Sequence, residues 1–367
     1  MATLSQLLEA LRCADGSDLH LCAGAACGLH GSGELRFLSD RPLSHEQCAA
    51  LIREAIGDAA VEELQESEDV EVCQSFGALG RFRFSVYLTH LGMAAVVRSI
   101  PEVVPTPDQL GLPQSVASFS TLRRGLVLLA GASGSGKTTT LAAIINLINH
   151  SRSCQIITIE KPIEHLHPSV QSIVAQREVG RHTSSFARGV ATALRKGADV
   201  IALGDLSEPG SVQVAVEAAN RGHLVLAAVC ATSAVEAIER ALEAWAPGEQ
   251  PRARSRLAAN LQGVVVQTLV RRKDKVGRTP AAEVLLNVGN MPSLLREGKL
   301  QQAQATIQAG ARVGMSTLND SLVRLVTEDI IHSTEALTAS LDRDGLLRGL
   351  QSAGVELEML AMAGIGT

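Results

Sequence analysis

The most informative segment of this chain reads Gly125-Leu-Val-Leu-Leu-Ala-Gly-Ala-Ser-Gly-Ser-Gly-Lys-Thr138. It starts with an apolar run, passes through a glycine-rich loop and leads into a helical pattern. The loop matches G-x-x-x-x-G-K-[ST] at every fixed position. In such a loop, backbone N–H groups surround a phosphate chain, the lysine reaches the terminal oxygens, and the hydroxyl can hold Mg²⁺.

We therefore predict a site for a nucleoside triphosphate on this segment. A chance turn rich in glycine and serine is the alternative, and the strand before the loop and the helix after it argue against that alternative. The predicted nucleotide-binding residues are Ser133, Gly134, Ser135, Gly136, Lys137, Thr138 and Thr139.

Apolar runs alternate with helical patterns from Gly125 onward. The runs cover residues 125–130, 155–159, 200–203 and 224–229, and the helical patterns cover 138–150, 184–196, 211–221 and 234–244. Such alternation predicts an α/β fold with a mostly parallel sheet that is covered on both faces.

The rest of the chain divides into regions with different patterns. Residues 1–100 predict a small α+β unit, with an opening helix, a second helix over 44–56, and strands over 18–21, 34–37, 70–73 and 81–87. Residues 101–124 contain Pro101, Pro105, Pro107 and Pro113, which favour a linker. We assign residues 125–290 to the nucleotide-binding domain and residues 291–367 to a C-terminal helical subdomain.

Composition argues against several classes of protein. With 367 residues, 46% of them hydrophobic, we expect a soluble globular protein. A net charge of −5 and an aromatic content of 2% give nucleic acid no support as a partner. We find neither a membrane-spanning stretch nor a signal peptide, and we expect a cytoplasmic protein. The seven cysteines form no C-x-x-C pair, which favours reduced thiols over disulfides or zinc.

Acidic residues follow two of the predicted strands. Glu160 ends one strand, with Glu164 close behind, and Asp205 follows another. Because ligands bind at the carboxyl ends of parallel strands, these acids are candidates to hold Mg²⁺ and to orient an attacking water. The alternative for each acid is a solvated loop residue. His223, which precedes the strand at 224–229, is either a functional or an ordinary structural histidine.

The chain resembles the type IV pilus retraction ATPases, a branch of the secretion ATPase superfamily, in the ordered series GASGSGKTTTLAA, IITIEKPIE, QREVG, DVIALGDL, RGHLVLAAVCATSA and GMSTLNDSL. The resemblance covers nearly the whole chain. It implies an N-terminal PAS-like domain, a RecA-like P-loop ATPase core, C-terminal helices, and a hexameric ring that binds ATP and Mg²⁺ between neighbouring subunits.

The resemblance also implies roles for single residues. Lys137 and Thr138 match the Walker A pair, and Asp205 occupies the Walker B position, with Thr138 and Asp205 as Mg²⁺ ligands. The implied catalytic residues are Glu160 of the aspartate box, Asp205, and His223 as the first histidine of the histidine box. The implied nucleotide contacts from the first domain, across a subunit interface, are Arg81, Arg83 and Arg98. Arg98 could instead cap a strand or pair with a surface acid.

Three positions depart from the family pattern. Lys161 replaces the aspartate of the aspartate box, Asp205 replaces the longer Walker B glutamate, and Cys230 replaces the second histidine. A reacting group that is misplaced by about 1 Å can cost roughly a hundredfold in rate. The residues that bind nucleotide are retained. Because the three changes lie among the residues for hydrolysis, they are compatible with slow hydrolysis.

Two functions are compatible with this pattern. The first is a hexameric ATPase, peripheral to the inner membrane, that acts on a pilus platform protein and powers retraction and twitching motility. The second is a hydrolytically weak accessory subunit in a mixed hexamer with an active retraction ATPase. An assembly ATPase is disfavoured because the four-cysteine zinc module of many such proteins is absent from the sequence, and a DNA motor is disfavoured by the acidic balance.

Overall fold

The computed structural model describes residues 2–13, 16–31, 34–274 and 277–355. The chain divides into two compact units. Unit 1 comprises Met1–Val103 together with Pro162–Leu166, and unit 2 comprises Val104–Lys161 together with His167–Thr367. The chain therefore leaves unit 2 after Lys161 and returns to it at His167. Within the described residues, no helix combines the length and the apolar character needed to cross a membrane.

Unit 1 contains an antiparallel sheet and helices. The helices are α1 (Leu4–Cys13), α2 (His45–Ile56) and α3 (Asp58–Ser67). The strands are β1 (Gly16–Cys22), β2 (Gly28–Gly31), β3 (Glu34–Phe37), β4 (Asp69–Ser75), β5 (Arg81–Thr89) and β6 (Gly92–Ile100). They form a six-stranded sheet in the order β3-β2-β1-β6-β5-β4. The sequence predicted α1, α2, β1, β3, β4 and β5, but not α3, β2 or β6.

Apolar periodicity determines which side of each element is buried in unit 1. The leucines of α1 at positions 4, 7, 8 and 11 recur at helical spacing and are all buried. In β5, Phe82 and Phe84 enter the same core, whereas Arg81 and Arg83 alternate with them and are half-buried. Since successive side chains of a strand point to opposite faces, the two arginines lie together on the face away from this core.

Unit 2 contains a larger sheet. Its strands are β7 (Gly125–Ala130), β8 (Gln155–Glu160), β9 (Ile173–Glu178), β10 (Val200–Leu203), β11 (Leu224–Val229), β12 (Leu261–Arg271) and β13 (Arg278–Leu286). The seven strands have the order β13-β12-β7-β11-β10-β8-β9. Neighbours from β12 to β9 are parallel, and β13 pairs antiparallel with β12. The predicted, mostly parallel sheet is confirmed, and β9, β12 and β13 extend it beyond the prediction.

Helices cover both faces of the larger sheet. They are α4 (Gln114–Ser118), α5 (Lys137–Ser151), α6 (Phe186–Arg195), α7 (Ser211–Asn220), α8 (Ala234–Glu243) and α9 (Gln250–Asn260). Leu126 and Leu128 of β7 contribute to the core that includes residues of α7 and α8. Val127 and Leu129 contribute to the core on the other face, which includes residues of α5.

The C-terminal helices pack within unit 2. They are α10 (Met291–Glu297), α11 (Ala303–Ala309), α12 (Leu318–Thr327), α13 (Ser333–Ala339) and α14 (Arg343–Ser352). Leu322 and Leu346 from these helices share a core with Val270 of β12 and Ala281 of β13. Helices are present between residues 291 and 352, as we predicted, and they belong to the same unit as the sheet. Residues 356–367 of the predicted subdomain lie outside the described part of the chain.

Residues 104–124 differ from the predicted linker. Leu112, Val116 and Phe119 are buried and contribute to the same core as Ile144 and Ile145 of α5. The prolines led us to predict a linker, but the apolar side chains of this stretch are the stronger determinant because they gain free energy on burial. This stretch is part of unit 2.

Candidate active site

The phosphate-binding loop connects β7 to α5, as the sequence predicted. Gly131, Gly134 and Gly136 have φ angles of 150°, 74° and 91°. A Cβ atom at Gly136 would lie 2.5 Å from Nε2 of Gln267, and one at Gly131 would lie 2.5 Å from the carbonyl oxygen of Gln267. Only glycine combines these backbone angles with so close an approach.

Lys137 begins α5 and turns its side chain back over the loop. Its Nζ donates hydrogen bonds to the carbonyl oxygens of Gly131 at 2.8 Å and Ala132 at 2.7 Å. Burial lowers the pKa of Lys137 below its ordinary value, against the opposing influence of Cys230 and Asp205. The ammonium group thus lies within the electrostatic reach of residues at two other strand ends.

Ser135 supports the interpretation of the loop as an anion site. Its Oγ is buried and has no hydrogen-bond partner among the described residues. A buried hydroxyl without a partner costs free energy, and a phosphate oxygen is a strong acceptor. The glycine conformations, the ammonium of Lys137 and this hydroxyl fit a phosphate chain.

Gln267 of β12 is a component of the site that the sequence analysis missed. Its Oε1 accepts a hydrogen bond from Oγ1 of Thr140 at 2.7 Å, and its Nε2 donates to the carbonyl oxygen of Ser135 at 2.8 Å. A polar residue directly after the apolar run Val264-Val-Val266 is the sequence signal that could have identified it.

Glu160 is the last residue of β8, and its side chain is buried. Its Oε1 accepts hydrogen bonds from Oγ1 of Thr158 at 2.5 Å and from Nε2 of Gln176 at 3.1 Å. Gly204, which precedes Asp205, donates from its backbone N–H to the carbonyl oxygen of Ile159 at 2.9 Å. The structure thus places Glu160 and Asp205 at neighbouring strand ends, as the sequence predicted.

Asp205 is half-buried after β10. Its Oδ1 accepts a hydrogen bond from the backbone N–H of Leu206 at 2.9 Å, and its Oδ2 accepts one from Oγ of Ser207. These bonds hold the shorter carboxylate against its own loop. Lys161, the charge-reversed position, is exposed.

The loop after β11 lies at the same edge of the sheet. The backbone N–H and Oγ1 of Thr232 donate to Oε2 of Glu236 at 2.6 Å and 2.7 Å. These hydrogen bonds, first that of the hydroxyl, lower the pKa of Glu236. Glu283 of β13 accepts a hydrogen bond from the backbone N–H of Ala234 at 2.7 Å. The exposed Cys230 therefore begins a loop that is held by two carboxylates.

His223 lies at the other edge of the sheet. It directly precedes β11, whose first residue, Leu224, pairs with Gly125 at the start of β7. Six residues of strand at about 3.3 Å each put roughly 20 Å between this edge and the phosphate-binding loop. Its Nδ1 contacts the carbonyl oxygen of Ala198 at 2.7 Å. Within one subunit, this placement does not support the catalytic role that we predicted for His223, and it fits the structural alternative.

Arg81 binds backbone groups within unit 1. Its Nε donates to the carbonyl oxygen of Glu164 at 2.8 Å, and its Nη2 donates to that of Ile163 at 2.6 Å. The side chain also donates to Oγ of Ser75 at 3.2 Å. Arg81 therefore anchors Pro162–Leu166, the segment of unit 1 that follows Lys161 in the chain.

Arg83 anchors the same segment through an ion pair. Its Nη1 lies 2.7 Å from Oε1 of Glu164, and its Nη2 pairs with Glu71. Burial by itself would lower the pKa of Arg83, but the hydrogen bond to Glu71 and the charges of Glu164 and Glu71 raise it. The structure brings Arg81 and Arg83 together on one peptide segment, a role that the sequence did not reveal.

Arg98 of β6 is exposed and pairs with Asp18 of the neighbouring β1. Its Nη2 and Nε both lie 2.8 Å from Oδ1 of Asp18. This geometry agrees with the alternative of pairing with an acid. The nucleotide contacts that we predicted for the three arginines stay predictions.

Comparisons with known proteins give a consistent result. A sequence model of the Type II/IV secretion system protein family matches residues 71–343. The type IV pilus retraction ATPase PilT of Pseudomonas aeruginosa is 36% identical to this chain over 320 residues, which make up 87% of this chain and 93% of that protein. The type IV pilus ATPase PilU of the same organism is 33% identical over 341 residues, or 93% and 89% of the two chains.

A solved structure is similar over the same length. The crystal structure of the pilus retraction motor PilT with bound ADP aligns with a TM-score of 0.83 and 34% sequence identity. The alignment covers 95% of this chain and 100% of that chain.

Proposed function

This chain belongs to the Type II/IV secretion system protein family and is an ATPase of that family, and we propose that it hydrolyses ATP to power retraction of a type IV pilus. The observation that carries the proposal is the meeting of Lys137, Glu160 and Asp205 at the carboxyl edge of one parallel sheet. The similarity to a pilus retraction ATPase over most of both chains supports retraction, rather than assembly, as the process that the motor powers.

Each residue at this edge would have a separate task. The loop N–H groups and Lys137 would bind the β- and γ-phosphates, where the ammonium compensates negative charge. Glu160, which two donors hold in a fixed orientation, would orient the attacking water. Positioning and electrostatic stabilisation carry most of the catalysis in phosphoryl transfer, so rigid groups are what the reaction needs.

Thr138 and Asp205 would hold Mg²⁺, since a hydroxyl and a carboxylate are the oxygen ligands that this ion prefers. The ion would supply neutralisation of the charge on the β- and γ-phosphates. Among the described parts of the chain, no group of three or more His, Cys, Asp or Glu residues could hold a metal. A magnesium ion that is shared with phosphates and water does not need such a group.

A mixed or uniform hexamer at the cytoplasmic face of the inner membrane completes the proposal. Its partner would be the pilus platform protein, and neighbouring subunits would enclose the nucleotide. The second candidate, a hydrolytically weak accessory subunit, rests on Lys161, Asp205 and Cys230, which depart from the family pattern. Lys137 and Thr138 fit both candidates, and the retention of Glu160 favours the motor.

A complementation experiment in the natural host tests this function. Cells without the gene should keep their pili but lose twitching motility, and the parent chain should restore it. Lys137→Ala should fail to restore it, whereas Lys196→Ala, which changes an exposed lysine at the end of α6, should succeed. Full motility with Lys137→Ala at normal protein levels would contradict the motor and favour the accessory role.

A further inference from the structure

We propose that Gln176 is a positioning residue that orients Glu160 for water activation. This inference rests on the proposed function, in which Glu160 acts on water. Gln176 lies on β9, and it stands opposite Thr158 in the parallel register of β8 and β9. Since alternate residues of a strand share a face, Thr158, Glu160 and Gln176 lie on the same face of the sheet.

The amide of Gln176 has a partner at each end. Its Nε2 donates to Oε1 of Glu160 at 3.1 Å, and its Oε1 accepts from the backbone N–H of His167 at 2.8 Å. A backbone N–H can only donate, so the contact with His167 fixes which end of the amide faces Glu160. The end that faces Glu160 is the NH₂ group, which can donate a hydrogen bond to a carboxylate.

The two hydrogen bonds of Gln176 connect Glu160 with the backbone of His167. Glu160 is the last residue of β8, and His167 is where the chain returns to unit 2 after Pro162–Leu166. Gln176 therefore links the residue at which the chain returns to unit 2 with the carboxylate of Glu160. Thr158 adds a second donor to the same oxygen, so the carboxylate is held from β8 and from β9.

Glutamine suits this position better than the residues of similar size. Glutamate would keep an acceptor for the N–H of His167 but would place a second carboxylate beside Glu160. Leucine would remove both contacts and leave the His167 N–H without this acceptor, which destabilises the return of the chain at His167. Gln176→Glu therefore changes only the contact with Glu160, whereas Gln176→Leu removes the contacts with both Glu160 and His167.

The test compares Gln176→Glu, Gln176→Leu and the control Gln171→Glu. Gln171 is an exposed residue just before β9, so its substitution adds the same charge outside these contacts. Steady-state kinetics give kcat and KM for ATP, and amide hydrogen exchange followed by mass spectrometry reports on the peptide that contains His167.

We expect both Gln176 variants to lower kcat by roughly tenfold or more, because misorientation of a reacting group is costly, with KM for ATP within about twofold. Gln176→Leu should also accelerate exchange at His167, whereas Gln176→Glu should leave that exchange slow. Gln171→Glu should change neither measurement.

Parent-like kcat in both Gln176 variants, with turnover lost in Glu160→Gln, would overturn the positioning role and leave the proposed function intact. An equal loss in Gln171→Glu would overturn it too, because it would reveal a general charge effect. A fully active Glu160→Gln would instead refute the role of Glu160 in the proposed function and, with it, the need to position this residue.

Discussion

Gln267 of β12 ties the phosphate-binding loop to the first turn of α5, because its Nε2 donates to the carbonyl oxygen of Ser135 at 2.8 Å. The same side chain accepts from Oγ1 of Thr140 at 2.7 Å. Gln267, Ser135 and Thr140 are all buried, so water does not compete for these bonds. The shape of the loop is therefore determined by a strand that follows it by more than a hundred residues.

Gln267→Leu should weaken ATP binding by roughly tenfold or more, since about 1.4 kcal/mol of lost preorganisation corresponds to tenfold in affinity. The substitution removes both hydrogen bonds and replaces the amide with an apolar side chain of similar size. Titration with a fluorescent ATP analogue measures the effect. Gln262→Leu, near the start of β12, is the matched control and should bind like the parent. An unchanged affinity in Gln267→Leu would show that the loop keeps its shape without the glutamine.

Lys137→Ala should abolish productive nucleotide binding, because the loop backbone cannot replace the charge that compensates the β- and γ-phosphates. The same titration measures the dissociation constant, and the melting temperature shows whether the fold is retained. Lys196→Ala serves as the control. Undiminished ATP affinity in a folded Lys137→Ala protein would refute the assignment of the loop.

The double variant Asp205→Glu, Lys161→Asp should raise the rate of ATP turnover. Asp205 is bound to the backbone of Leu206 and to Ser207, so a carboxylate that is one methylene longer gains reach toward the metal and the water. Phosphate release under saturating ATP is the measurement. A double variant that is no faster than the parent would place the rate limit in domain motion or product release.

The stability of Glu283→Gln relative to that of the parent should increase as the pH rises. Burial raises the pKa of Glu283 above its reference value of 4.5, against the hydrogen bonds from Ala234 and Gln304. The protonated form is thus favoured in the folded state, so the stabilisation is present below pH 4.5 and is lost as the pH rises through the raised pKa. Glutamine keeps an acceptor for the Ala234 N–H and does not ionise.

Chemical unfolding between about pH 4 and pH 8 measures this dependence. The difference in unfolding free energy, Glu283→Gln minus parent, should increase with pH over that range. A difference that stays constant would mean that Glu283 ionises with the same pKa in the folded and unfolded protein.

Local sequence signals predicted the centre of the fold and less of its periphery. The bounds of β7, β10 and β11 matched the predicted strands, because these buried parallel strands are continuous apolar runs. β9 was missed because it is a half-exposed edge strand, with Gln176 and Arg177 among its apolar residues. β12 was missed although it is apolar, since a run of this kind is ambiguous between strand and buried helix.

The site was predictable where its residues are neighbours in sequence. The loop and the acids at strand ends follow from motif and topology, whereas the contacts of Gln267 with Ser135, and of Arg83 with Glu164, join residues far apart in the chain. No local pattern records such a pairing. His223 shows the converse, because the predicted strand over 224–229 already placed it at the amino end of that strand, away from the loop, whereas its catalytic role was inferred from the motif position alone.

The most direct test of the proposed motor is phosphate release by the purified full-length chain alone, with ATP and Mg²⁺, next to Lys137→Ala and Glu160→Gln. We predict Mg²⁺-dependent turnover in the parent that is lost in both variants, with ATP still bound by Glu160→Gln. Tight binding of ATP by the parent, with phosphate release no faster than in Lys137→Ala, would contradict the account and favour the accessory role.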